Sequence, residues 1–216
     1  MVSRVRSRRP AGTLAAFLMN LPNQLTVSRF ALTGLFLGAM FGRFPGHESV
    51  ALLFFSLAGI TDFLDGRIAR QRGLITNFGI LMDPLADKIL TCSAFIVLVE
   101  RAQFKDWTGV KVEAWMVIVI VARELAITGL RLLAASKRLV LAAENYGKHK
   151  TISQMVAIIA LLMLESYGEW GHWAEVVLKP WVPWFARIAL WVTVVLTFTS
   201  GALYLWKNRA LYLEDM

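Results

Sequence analysis

The sequence predicts an all-α, polytopic membrane protein: six transmembrane helices preceded by an N-terminal juxtamembrane amphipathic segment. Three observations carry that expectation. The 216 residues are 57% hydrophobic and only 18% charged, against about 45–50% and about 25% in soluble domains. The mean hydropathy is positive, +0.57. Six stretches approach the length of about 20 apolar residues that a helix needs to cross a hydrocarbon layer about 30 Å thick. A single cysteine, Cys92, excludes an intramolecular disulfide and a cysteine-based metal cluster. It reads as a small packing residue.

In chain order, residues 1–24 form a basic segment. Arg4, Arg6, Arg8 and Arg9 precede a short apolar run at 11–19. That run is short for a signal peptide and no small-residue cleavage site follows, so it is read as lying on the membrane surface. Asn20-Leu21-Pro22-Asn23 is a turn signal, and Thr26 or Ser28 is a candidate helix cap. The membrane domain occupies 25–207, with spans at 25–41, 50–69, 78–99, 114–133, 152–164 and 184–206, the fifth extending towards Tyr167. Breaks fall at Phe44-Pro45-Gly46, 70–77, 100–113, 134–150 and 168–183, and His47, His149 and His172 sit in them. Residues 208–216 form a tail.

Orientation follows from the basic residues. With the N-terminus inside, fourteen Lys and Arg fall on cytoplasmic segments and six on the opposite side, leaving out Lys88, Arg123 and Arg131 within helices. Both termini are therefore expected in the cytoplasm. Trp107, Trp115, Trp170, Trp173 and Trp181 then lie near the outer interface, where aromatic belts form. The net charge of +8 is that of basic loops facing anionic lipid. It does not point to nucleic acid, because no basic run with interleaved aromatics is present.

The second and third spans carry Asp62, Asp65, Asp83 and Asp87. An Asp at the centre of a membrane helix costs roughly 2.5–3.5 kcal/mol, less near its end, and four demand compensation. Asp62 and Asp65 are three apart, Asp83 and Asp87 four apart, so each pair shares a helix face. Gly66, Ala69 and Gly79 continue those faces with small residues that leave room beside the backbone. The short connection at 70–77 makes the two helices antiparallel neighbours, with both pairs at similar depth. All-oxygen ligands suit a hard cation such as Mg²⁺, Mn²⁺ or Ca²⁺, and two such ions balance four carboxylates. The bland alternative for any single acid is pairing with Arg67, Arg70 or Lys88. A cation or proton pathway is the alternative from another class, although no repeated pair of interrupted helices supports it. Neither a Gly-x-Ser-x-Gly elbow nor a nucleotide-binding glycine loop is present.

Taken as one string, Asp62-x2-Asp65-Gly66-x2-Ala69-Arg70-x8-Gly79-x3-Asp83-x3-Asp87 resembles the signature of the CDP-alcohol phosphatidyltransferase family. Further segments are similar to its bacterial branch that uses glycerol 3-phosphate: Asn20 to Thr26 with Arg29, Arg123-Glu124-Leu125 with Arg131, Gly147 to Thr151 with Gln154, and Ser200-Gly201 with Tyr204. The resemblance implies a homodimeric six-helix enzyme of the bacterial cytoplasmic (inner) membrane, its active site facing the cytoplasm. It would transfer a phosphatidyl group from CDP-diacylglycerol to glycerol 3-phosphate and release CMP, using two divalent ions, Mg²⁺ or Mn²⁺. Asp62, Asp65, Asp83 and Asp87 would be metal ligands and Asp87 also the general base. Gly66, Ala69, Arg70 and the weaker candidate Thr76 would bind the CDP-lipid. Arg123, Arg131, Lys148 and Lys150 are candidates for the acceptor phosphate: the lysines precede the fifth span, whose N-terminal amides favour an anion. Ordinary readings compete for these, namely topology charge for the lysines and a partner such as Glu124 for Arg123. Other family acceptors would be phosphatidylglycerol, serine or inositol phosphate.

Overall fold

The apolar periodicity of the chain builds helices and, among the described residues, no strand. The computed structural model describes residues 21–72, 77–102, 109–137, 139 and 146–213. Within these, the side chains of 21–22, 63–72, 77–81, 102, 146–149 and 213 are outside the description. The helices are α1 (Leu21–Phe41), α2 (His47–Arg72), α3 (Asn77–Ala102), α4 (Ala114–Ser136), α5 (Tyr146–Ser166), a 3₁₀ turn (Tyr167–Trp170), α6 (His172–Leu178), α7 (Val182–Lys207) and α8 (Ala210–Leu213).

Among the described residues, three helices are long and apolar enough to cross a membrane by length and composition: Asn23–Phe41, Lys150–Trp170 and Val182–Lys207. α2, α3 and α4 are of comparable length, 26, 26 and 23 residues, but carry the charges that later make the site. The outward surface is apolar, with Trp206 69%, Leu132 67% and Ile118 65% exposed. Such a surface suits lipid rather than water.

α1 is the organising element. Asn23, Thr26, Arg29, Thr33, Phe36 and Met40 recur every three or four residues and are all buried. They form one inward stripe, polar in its first half and apolar in its second. Beside its deeper half lies the main core, where Phe36 and Phe55 rings meet at 5.6 Å and Leu90, Phe95, Ile158, Leu162 and Leu190 are closed off from solvent. α1 packs along both α2 and α3, α5 along α7 and α2, and α4 along α7.

Several expectations are corrected. Among the described residues α2 and α3 share few contacts, and α1 lies against both. Thr26 and Ser28 are not caps: the helix already starts at Leu21, Thr26 reaches across to α3, and Ser28 donates to the Leu25 carbonyl at 2.8 Å. Pro22 in the first turn is compatible with that start, since its missing N–H would have had no helical partner. His47, His149 and His172 lie on helices rather than in loops. Lys148 and Lys150 fall in the opening turns of α5 instead of before it. The segment at 168–183 is itself largely helical, turning at Gly171 with φ of +85°, a conformation that favours glycine. The basic leader lies outside the described residues.

At the start of α2, a second polar cluster ties the bundle together. The Glu169 carboxylate accepts the backbone N–H groups of Glu48 (3.2 Å) and Ser49 (2.9 Å), and the Ser49 hydroxyl (2.6 Å). It caps α2 from a distant part of the chain. Trp170 Nε1 donates to Ser49 Oγ at 2.7 Å. Arg101 on α3 pairs with Glu48 and lies 3.7 Å from Glu165 Oε2. Glu48 and Glu165 are each only 9% exposed, so Arg101 answers two buried charges. Replacing Arg101 by Met is expected to cost about 3 kcal/mol. Thermal unfolding in detergent should show a midpoint lower by about 6–12 °C for a chain of this size.

Candidate functional site

Two of the acidic residues, Asp62 and Asp83, are tied to α1. Arg29, 1% exposed, places Nη1 2.9 Å from Asp62 Oδ1 on α2. One turn earlier, Thr26 donates to Asp83 Oδ1 on α3 at 2.5 Å. Residues three apart on a helix differ in height by about 4.5 Å, so the α1 partners of Asp62 and Asp83 lie one turn apart. A buried guanidinium needs a counter-charge and a part-buried carboxylate gains from a donor. The polar half of the α1 stripe supplies both.

Asp87 lies one turn beyond Asp83 on α3, with Pro84 inside the helix between them. Pro84 cannot donate to the carbonyl four residues earlier, and the helix continues through it. Asp87 is within electrostatic range of Asp62, Arg29, Lys88 and Lys150. Its Oδ1 is buried with no hydrogen-bond partner among the described residues. Asp65, Gly66, Ala69 and Arg70 have their backbone on α2, but their side chains lie outside the described residues, as does Thr76 altogether. Among the described residues no three His, Cys, Asp or Glu gather as a ligand set.

Of the basic candidates, Lys150 and Arg123 converge on one carboxylate. Glu124 Oε1 accepts Arg123 Nη1 at 3.2 Å and pairs with Lys150 Nζ. Lys150 is 6% exposed and spans from α5 to α4. Arg131 is exposed on α4, its guanidinium 5.9 Å from the Tyr204 ring centre. The Lys148 side chain lies outside the described residues. Lys88 joins the group, within electrostatic range of Asp87, Arg131 and Arg123. A groove of about 320 Å³ between α4 and α7 has Arg123 as its charged wall, facing Ala126, Phe198 and Ala202.

Three parts of this arrangement escaped the sequence reading. Arg29 enters the sequence reading as a topology charge and as part of the family resemblance, with no partner assigned, although the polar spacing 23, 26, 29, 33 in an apolar span signals a buried polar stripe. Lys88 was read only as a possible partner for an acid. Gly201 is explained by contact: a Cβ there would meet Arg123 Cγ at 2.7 Å, so α7 leaves that space to the arginine stem.

The chain belongs to the CDP-alcohol phosphatidyltransferase family, whose sequence profile matches residues 19–199. Members of this family are generally divalent-metal dependent. Curated relatives carry the name CDP-diacylglycerol–glycerol-3-phosphate 3-phosphatidyltransferase. The chain is 41% identical to the one from Bacillus subtilis (strain 168) over 203 residues, covering 88% of this chain and 96% of the relative. It is 33% identical to that of Rickettsia bellii over 185 residues (86% and 93%) and 30% identical to that of Haemophilus influenzae over 199 residues (91% and 97%).

The Gly201 contact has a direct consequence. Gly201→Ala forces Arg123 to shift, an overpacking expected to cost about 1–3 kcal/mol. In an Arg123→Ala background the same change should be nearly neutral, as a double-mutant cycle of thermal unfolding would read.

Proposed function

We propose that the protein transfers the phosphatidyl group of CDP-diacylglycerol to sn-glycerol 3-phosphate, giving phosphatidylglycerophosphate and CMP. The observation that carries this reading is the likeness to enzymes of that name across nearly the full length of both chains. Buried Lys150, within electrostatic range of Asp87 and joined to Arg123 through Glu124, supports it, since a phosphorylated acceptor requires cations beside the reacting centre.

The aspartates fit a hard divalent cation. They offer oxygen alone, Asp62 and Asp87 lie close enough to repel, and Asp87 keeps a buried oxygen without a described partner. We assign Asp62, Asp65, Asp83 and Asp87 as ligands of two ions, Mg²⁺ or Mn²⁺. When bound, such ions neutralise the carboxylates and stabilise charge on the transferring phosphoryl group. The chain's own residues do the rest. Arg29 and Thr26 hold Asp62 and Asp83 in place. Arg123, Arg131, Lys148 and Lys150 bind the acceptor phosphate. Gly66 and Ala69 leave room for the CDP-lipid, while Arg70 and Thr76 bind it. Asp87 takes the acceptor hydroxyl proton as its oxygen attacks the β-phosphorus and the bond to CMP breaks.

The finer topology belongs to the same proposal. α1 to α5 and α7 are 21 to 26 residues long and form six spans, preceded by the basic amphipathic leader. Both termini and the active site face the cytoplasm at the bacterial inner membrane, and the enzyme works as a homodimer.

CMP release by the purified protein tests the reaction. With CDP-diacylglycerol and Mg²⁺ or Mn²⁺, release is expected with glycerol 3-phosphate and not with phosphatidylglycerol, serine or inositol phosphate, and Asp87→Asn should abolish it. Release only with another acceptor overturns the assignment. Thr26→Val, nearly isosteric, removes the donor to Asp83. It should raise the metal concentration for half-maximal activity about 10–100-fold, as loss of a ligand's supporting hydrogen bond generally does.

A further inference from the structure

We infer that Glu124 is a resident anion standing in for the acceptor's phosphate, and that the acceptor binds by taking Lys150 and Arg123 from it. This rests on the acceptor-site reading above.

A single oxygen, Glu124 Oε1, is shared by cations from two helices, Arg123 Nη1 at 3.2 Å and Lys150 Nζ. Side chains of Glu124, Arg123 and Lys150 are 12%, 14% and 6% exposed, so none is neutralised by bulk water. Arg131 and Lys88 add to the positive field at Arg123. One carboxylate cannot balance these cations, and Asp87 on the other side faces Lys150 and Lys88 as well. Arg123 also keeps a buried Nε with no partner among the described residues. The cluster thus holds cationic charge and a donor that Glu124 leaves unused.

A phosphate monoester carries about −1.5 to −2 charges and three acceptor oxygens. It can therefore take both cations from Glu124 and use the idle Arg123 donor. The carboxylate keeps the basic side chains ordered before the acceptor arrives and weakens the acceptor's net binding by competing for them. Acceptor affinity becomes the difference between two anions.

Glu124→Gln keeps the shape and removes the competing charge. Near neutral pH, its KM for glycerol 3-phosphate is expected to fall about fivefold, equivalent to about 1 kcal/mol. Inhibition by inorganic phosphate should strengthen by a similar factor, while KM for CDP-diacylglycerol stays unchanged. Glu124→Asp retains charge but withdraws it by one methylene. It should fall between the two, and it serves as the test if the Gln variant does not fold. A KM for glycerol 3-phosphate that rises or stays level in these variants overturns the inference. Lys150→Ala and Arg123→Ala separate the two levels. If they leave that KM unchanged, the acceptor site itself is misassigned. If they raise it while Glu124→Gln fails to lower it, only the stand-in role is lost.

Discussion

The Arg29–Asp62 pair is the interaction on which the rest of the architecture depends. A guanidinium at 1% exposure is stable inside an apolar bundle only with a counter-charge, and Asp62, itself 38% exposed, supplies it. By meeting at 2.9 Å they allow α1 and α2 to close against each other at the end of the bundle where the acids lie. Thr26 does the same for α3 through Asp83, with a hydroxyl rather than a charge. One polar stripe on one helix therefore sets the positions of carboxylates contributed by two others. The apolar continuation of that stripe, Phe36 and Met40, anchors it in the core.

The basic side of the site is built by a different device. Lys150 and Arg123 are held by a single carboxylate on α4, and α7 gives up a side chain at Gly201 to let the arginine stem pass. Acidic and basic groups lie within electrostatic range yet on separate helices. The proposed acceptor, bearing a phosphate and a hydroxyl, would meet the cations at one end and the aspartates at the other. At the start of α2, Glu169, Arg101, Glu48 and Glu165 stabilise the bundle without touching this chemistry.

Much of the fold was legible because membrane helices are written in local composition. The helices expected at 78–99 and 114–133 reappear inside Asn77–Ala102 and Ala114–Ser136. The extension of the fifth span towards Tyr167 is also present. What failed were inferences from sequence adjacency. The short connection at 70–77 does not reveal that α1 lies against both α2 and α3. Thr26 had the composition of a cap, but the helix had begun at Leu21.

The sequence by itself determined which residues are helical, which acids share a face and which family the chain resembles, because each depends on spacing along a single stretch of chain. Tertiary structure decided the partners. Nothing in the spacing of Asp62 and Asp65 names Arg29, and nothing in Gly147 to Thr151 names Glu124. Helical periodicity fixes the direction in which a side chain leaves its own helix. Which neighbour stands in that direction is decided by the packing of all the helices together.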